Sequence, residues 1–132
     1  MAKAHSDLRL VLTPLALADI REALKWSQYR FGGRAAERYR RLIKQAILDI
    51  GANPERPGAT RRPELRAGAR TYHLRHSRKQ ARGGGTVGDP RHFLLYRVRD
   101  DGAIEVARFL HDARDLKQHL PWEYGRTQLV GR

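Results

Sequence analysis

The sequence predicts an α+β fold in which a hairpin of two helices packs on a small antiparallel sheet, in the order β-α-α-β-β-β-α. Apolar residues recur with helical spacing over two consecutive segments in the first half of the chain. Alternating or wholly apolar segments typical of strands follow in the second half. Each helix has a single apolar face, so a flat sheet is expected to cover both. We expect one domain over residues 1–120 and a C-terminal tail over residues 121–132.

The first strand and the first helix meet at Thr13. Leucines alternate over residues 8–12, which predicts a short strand. Thr13 is expected to cap the helix, and Pro14 suits its first position because the missing N–H would have no helical partner there. Gly32 and Gly33 are expected to end this helix. Its apolar face comprises Leu17, Ile20, Leu24, Ser27 and Phe31.

The second helix is predicted over residues 34–50 and has the clearer apolar stripe. Gly51 is placed to end it, and Pro54 follows shortly after. Residues 53–69 are rich in Pro and Gly and predict a loop. The stripe comprises Ala36, Tyr39, Ile43, Ala46, Ile47 and Ile50.

Three strands and a short helix are predicted for the rest of the domain. The middle strand is apolar on both faces, which indicates a central position in the sheet. Asp100, Asp101 and Gly102 predict a tight turn, so the last two strands form a hairpin. Asp112 is expected to cap a helix over residues 113–119. The strand segments are residues 70–76, 92–98 and 103–110.

The chain is strongly basic and contains no cysteine. Its 132 residues carry a formal net charge of +13, and residues 56–82 contain nine Lys or Arg side chains against one acidic residue, Glu64. Such a surface attracts polyanions, although a charge run is also typical of a merely solvated face. The lack of cysteine excludes disulfides, thiolate metal sites and cysteine nucleophiles. No segment has the apolar length of a signal peptide or membrane span, so we expect a cytoplasmic protein without membrane association.

Residues 77–91 form a long connection between two predicted strands and contain three consecutive glycines. The stretch ARGGGTVG is not a phosphate-binding loop of the Walker type, because a strand rather than a helix follows it. Two interpretations stay open. The connection is either disordered without a function, or an arm whose Arg78, Lys79 and Arg82 become ordered against an anionic partner.

The order of elements and several stretches resemble the RelE/ParE family of bacterial toxins from toxin–antitoxin pairs. The likeness spans about residues 8–120 and is carried by LTPLALADIREALKW, AERYRRLIKQAILDIGANPERPG, ELRAGARTYHL and HFLLYRVRDDGAIEVARFLHDARDL. The stretches LRAG, YRV and LHDARDL favour the ParE branch. The connection over residues 77–91 is longer than is typical of the family and departs from its pattern.

The resemblance to the ParE branch implies a binding inhibitor of DNA gyrase that a ParD-like antitoxin keeps silent. From the residues themselves we expect no cofactor and no metal. A groove beside the helices or a sheet edge suits a partner segment of this kind. The basic surface is expected to favour contact with DNA or RNA. Candidates for the antitoxin groove are Leu17, Ile20, Leu24, Tyr39 and Ile43. Candidates for contact with the target or with nucleic acid are Arg75, Arg78, Lys79, Arg82 and Arg114.

Two alternatives to gyrase inhibition are open. Members of the RelE branch cut messenger RNA on the ribosome, and under that hypothesis Arg75, His111 and Arg114 are the catalytic residues. The set lacks a convincing acid–base pair. Arg75 also suits a solvent-facing strand position, and His111 suits a bond to the backbone after the last strand. His73 and His76 do not predict a metal site, because they point to opposite faces of a strand. The second alternative is a non-toxic basic domain that binds nucleic acid.

Overall fold

The chain folds as a five-stranded sheet with two helices packed on it, in a computed structural model that describes residues 9–81 and 85–113. The elements are β1 Leu10–Leu12, α1 Pro14–Phe31, α2 Gly33–Ala52, β2 Thr60–Arg61, β3 Ala69–His73, β4 His92–Val98 and β5 Ile104–His111. A 3-10 helix over Leu74–Ser77 follows β3. The order of strands across the sheet is β1-β5-β4-β3-β2. The predicted α+β class is confirmed.

The sheet is mixed, whereas the sequence predicts an antiparallel one. Strands β2 to β5 pair antiparallel, but β1 lies parallel to β5, with Leu10 opposite Ile104. The parallel edge continues to the start of α1, where the Thr13 N–H donates to the Val106 carbonyl at 3.1 Å. Side-chain alternation marks a strand but does not encode its direction, so the parallel pairing of β1 is a departure from the predicted antiparallel sheet. The two-residue strand β2 also lies inside the predicted loop.

Helix α1 begins as predicted, with Thr13 as its cap and a proline as its first residue. The Thr13 hydroxyl accepts the Ala16 N–H at 3.0 Å and donates to the Ala107 carbonyl at 2.8 Å. One hydroxyl therefore caps the helix and also fastens it to β5. The helix ends before Gly32, whose φ of 96° lies in the left-handed region that favours glycine.

Helix α2 is longer than predicted, because it continues through Gly51 to Ala52 and is capped by Asn53. Gly51 does not end the helix. It is buried against β1, and a Cβ atom at this position would lie 3.2 Å from the Leu10 Cδ1 atom. The glycine therefore permits a close approach of strand and helix rather than a turn. The buried side chains of α2 are Ala36, Leu42, Ile43, Ala46 and Ile50.

Strand β4 lies in the centre of the sheet, as predicted, and is buried on both faces. Leu94 and Tyr96 belong to the larger core cluster, which also contains buried side chains from both helices. Phe93 and Leu95 point the other way and belong to a second cluster formed by the sheet and the loop after β2. The turn from β4 to β5 is the predicted one, and Gly102 has a φ of 88°.

The predicted strand over residues 70–76 ends early. Strand β3 stops at His73, and the 3-10 helix follows, so Arg75 is not a strand residue. The ring of His73 caps that helix by accepting the Arg75 N–H at its Nδ1 atom, at 3.1 Å. The predicted helix over residues 113–119 and the tail over residues 121–132 lie outside the described residues, apart from Ala113. Neither α1 nor α2 is long and apolar enough to cross a membrane.

Candidate functional site

A groove of about 960 Å³ opens between the helical hairpin and one end of the sheet. Side chains of α1 line it together with residues 86–89 of the long connection after the 3-10 helix. Tyr39 from α2, His92 from β4, and Phe109 and His111 from β5 complete the lining. We call this the hairpin groove. The described end of the long connection is thus part of the body of the domain.

Tyr39 joins the long connection to α2. Its hydroxyl accepts the Arg91 N–H at 3.1 Å and lies 2.7 Å from the His92 Nδ1 atom. Either atom can donate in the bond between the hydroxyl and His92, according to the tautomer of the imidazole. Burial raises the pKa of Tyr39 well above its usual value. The phenol is therefore neutral at physiological pH.

Three aromatic rings pack beside that hydroxyl. His92 is stacked on Phe109 with 4.6 Å between ring centroids, and His111 meets His92 edge-on at 5.3 Å. The His111 Nδ1 atom accepts the Ala113 N–H at 3.2 Å. This imidazole holds the backbone after the last strand, and that interpretation of the sequence is confirmed.

A second polar cluster ties β3 to the end of β5. The His73 Nε2 atom lies 2.8 Å from one Asp112 oxygen, and Arg91 Nε donates to the other at 3.2 Å. Because His73 Nδ1 already accepts a backbone N–H, the ring proton is on Nε2 and is donated to Asp112. Burial lowers the pKa of His73. Burial raises the pKa of Asp112, but the hydrogen bonds from His73 and Arg91 outweigh burial, and the pKa is lowered overall.

Asp19 fastens α1 to β5 beside the groove. Its two oxygens accept from the Arg108 guanidinium at 2.8 and 3.0 Å, and one also accepts the Phe109 N–H at 3.0 Å. The side chains of the pair are only 17% and 11% exposed. Together with the Thr13 hydroxyl, this carboxylate satisfies backbone groups of β5 beyond the end of β1.

The predicted basic contact residues lie in a separate depression of about 390 Å³ on and after the 3-10 helix. Arg78 donates to the Gly88 carbonyl at 2.6 Å, which links the depression to the long connection. Two further candidates, Arg82 and Arg114, lie outside the described residues. The depression is lined by Arg75, His76, Arg78, Lys79 and Gln80.

The two described members of the predicted nuclease set occupy different pockets. Arg75 lines the basic depression, whereas His111 lines the hairpin groove. The sequence gives no sign of the polar pairs that the fold does build, between Tyr39 and His92 and between His73 and Asp112. Over residues 9–81 and 85–113, no three His, Asp or Glu side chains are grouped so that they could hold a metal ion.

The predicted antitoxin-groove residues are dispersed. Tyr39 lines the hairpin groove, but Ile43 is 3% exposed inside the core and is not available to a partner. Ile20 and Leu24 pack against the same core from α1. Leu17 is exposed but does not line the groove. The apolar stripes thus identify the core-facing sides of the helices, because burial in the core produces the same periodicity as a docking face.

Sequence reasoning missed the exposed aromatic side chains at the end of α1. Trp26 is 52% exposed and Tyr29 is 87% exposed, and both lie off the predicted apolar stripe. Phe31 is predicted on that stripe, yet it is 64% exposed. In the sequence, aromatic residues on the polar side of an amphipathic helix would have predicted these exposed side chains.

The fold and the comparisons with known proteins agree. The family described as the ParE toxin of type II toxin-antitoxin system, parDE, matches residues 10–116. Two relatives from Mycobacterium tuberculosis, strains CDC 1551 / Oshkosh and ATCC 25618 / H37Rv, are each named Toxin ParE1. Each is 30% identical over 112 residues, which are 85% of this chain and 97% of the relative. These findings define a toxin of a type II toxin–antitoxin system. Within that class, the chain belongs to the ParE toxin family.

Proposed function

We propose that this toxin inhibits DNA gyrase by binding to it, acts in the cytoplasm, and is neutralised by a ParD-like antitoxin. The match of residues 10–116 to the ParE toxins of parDE systems is the observation that carries the proposal. Gyrase as the target is what the resemblance to the ParE branch implies. Inhibition by binding requires complementary surfaces and no chemistry on the toxin itself.

The hydrogen bonds of the polar residues support binding rather than catalysis. The Nδ1 atoms of His73 and His111 each accept a backbone N–H two residues further along the chain. Tyr39 likewise bonds the backbone of Arg91. These groups hold elements together, and the alternative of an mRNA endonuclease would require them, or residues beyond them, to exchange protons with RNA.

We propose the hairpin groove as the docking surface for the antitoxin. Trp26 and Phe31 supply exposed aromatic rings there, and Arg38 and Arg91 supply guanidinium groups. Aromatic and Arg side chains are the residues that most often carry the energy of protein interfaces. A net charge of +13 also favours an acidic partner, which would associate quickly and offset the charge.

Incorporation of labelled thymidine and labelled methionine after induction of the toxin without its antitoxin tests the target. If gyrase is inhibited, DNA synthesis falls first, and the purified protein blocks supercoiling of relaxed plasmid. If protein synthesis falls first, the proposal is wrong and the endonuclease hypothesis replaces it. Expression together with the antitoxin is the control, since it should restore the incorporation of both thymidine and methionine.

Substitution of Arg75 by Ala separates the two hypotheses in one variant. The Arg75 side chain is exposed on the 3-10 helix, so its removal should leave the fold intact. Inhibition of supercoiling should be largely retained if gyrase is the target. If the original chain instead cuts messenger RNA on the ribosome and the same variant does not, Arg75 is identified as a clamp for the phosphate.

A further inference from the structure

The end of α1 and the turn into α2 form an exposed aromatic platform. Trp26, Tyr29 and Phe31 lie there within six consecutive residues, and all three are more than half exposed. Trp26 meets Phe31 edge-on with 5.6 Å between ring centroids, so these two rings form one continuous apolar surface. We call residues 25–34 the aromatic tip, which shares Trp26 and Phe31 with the hairpin groove. Burying such rings against a partner would recover free energy that the isolated fold leaves unused.

The charges of the aromatic tip are all positive. Residues 23–36 contain no acidic side chain, and Glu22, which lines the hairpin groove with Trp26, directly precedes them. The Arg30 guanidinium lies over the Phe31 ring, 5.8 Å from its centroid, so a cation and a ring form one recognition surface. The next acidic residue along the chain, Glu37, is paired with two arginines of α2. The cations of the tip are Lys25, Arg30 and Arg34.

We propose that the aromatic tip binds single-stranded nucleic acid, DNA or RNA, by stacking unpaired bases on its rings while its cations contact the phosphates. Exposed rings interleaved with cations are the combination that single-strand-binding surfaces use. Duplex bases are already stacked on one another, so they cannot reach such rings. The excess of positive charge over the whole chain draws polyanions toward the surface. Helix α2 also begins here without a side-chain cap, which adds backbone N–H groups near the phosphates.

This inference concerns a different surface from the basic depression that the sequence singles out. The depression contains cations and the His76 imidazole but no Trp, Tyr or Phe ring, and phosphate contacts alone would not distinguish single strands from duplex. The aromatic tip offers both kinds of contact. The inference also stands apart from gyrase inhibition, because it needs only the toxin and a bare oligonucleotide.

Fluorescence anisotropy with the purified full-length chain tests the proposal. The probes are labelled oligo(dT) and oligo(U) of about 12 nucleotides, a length within the range of single-strand sites, and a duplex of the same length. Both single strands should bind more tightly than the duplex at about 50 mM salt, where phosphate contacts are strong. Absence of single-strand binding, or equal binding of the duplex, would contradict the proposal.

Tyr29→Ala is the decisive variant, because this side chain is the most exposed of the three rings and its loss should leave the fold intact. The affinity for oligo(dT) should fall roughly 5- to 150-fold, which corresponds to the stacking of one base. Leu48→Ala, an exposed apolar residue near the C-terminal end of α2, is the matched control and should bind as the original chain does. An unchanged affinity of the Tyr29 variant would overturn the proposal.

The cations give a second and independent measurement. Replacing Lys25 and Arg34 by Gln should reduce the slope of log affinity against log salt by about 0.7 for each charge removed. Arg75→Gln together with Lys79→Gln removes the same charge from the basic depression. A larger effect of this second pair would place the binding there instead. If Tyr29→Ala weakens capture of the antitoxin or of gyrase but not of oligonucleotide, the tip is a protein interface and the proposal fails.

Discussion

At the scale of single residues, the most consequential contact is that of Asp19 with Arg108 and the backbone of Phe109. Asp19→Ala leaves a largely buried guanidinium and a backbone N–H without this partner. The free energy of unfolding should fall by about 2–4 kcal/mol, because the largely buried guanidinium loses the carboxylate that accepts two of its hydrogen bonds. Urea denaturation measures this loss. Glu37→Ala, which breaks an exposed pair on α2, should change the stability by at most about 1 kcal/mol. An equal loss of stability in the Asp19 and Glu37 variants would show that burial of the Asp19 pair is unimportant.

His73 makes the stability depend on pH, and the sign follows from its lowered pKa. In the unfolded chain the imidazole has its ordinary pKa of 6.5, so below that pH the unfolded state binds more protons than the folded state. The contribution of His73 is therefore complete above pH 6.5 and is lost as the pH falls through the lower folded value.

His73→Asn should flatten that dependence, because Asn cannot titrate and offers an acceptor near the position of Nδ1. The measurement is the urea midpoint between about pH 8 and about pH 5, the range in which histidines titrate. The original chain should lose stability more steeply than the variant toward the acid side. Identical slopes would show that His73 is not responsible.

Sequence distance decided which of these residue contacts could be predicted. The bonds of Thr13 to Ala16 and of His111 to Ala113 join near neighbours, and local patterns predict both. Tyr39 and His92 are 53 residues apart, and His73 and Asp112 are 39 apart. Such pairs depend on the register of β3, β4 and β5, which the periodicity of a single segment does not contain.

At the scale of elements, the described end of the long connection depends on one phenol for its position on α2. Tyr39→Phe removes the acceptor of the Arg91 N–H and the hydrogen-bond partner of the His92 Nδ1 atom. Hydrogen exchange of the Arg91 amide should accelerate by roughly tenfold, the equivalent of one hydrogen bond. Tyr29→Phe removes an exposed hydroxyl and is the control. Unchanged exchange in the Tyr39 variant would show that other contacts hold residues 85–91.

The elements themselves show what a periodic pattern can and cannot predict. Helix α1 was predictable to the residue at its start, because its cap is encoded locally. The parallel pairing of β1 with β5 was not predictable, since it depends on where the chain enters the sheet after the two helices. Gly51 shows the same limit: a glycine that stops a helix and one that admits a neighbouring strand look alike in sequence.

At the scale of the whole molecule, the charge of +13 should act on the rate of association more than on the lifetime of a complex. The proposed acidic antitoxin would be steered from a distance, and salt screens that attraction beyond about 8–10 Å at physiological ionic strength. The association rate should fall at least tenfold between about 50 and about 500 mM salt, whereas the dissociation rate should change little.

Stopped-flow mixing of toxin and antitoxin at several salt concentrations measures both rates. Arg75→Gln with Lys79→Gln removes charge outside the hairpin groove, so it should slow association at low salt and leave dissociation unchanged. Trp26→Ala removes a ring inside the groove, so it should accelerate dissociation and leave association at low salt unchanged. If the charge variant instead accelerates dissociation, the basic depression is part of the antitoxin interface, and the antitoxin covers far more of the toxin than the groove alone.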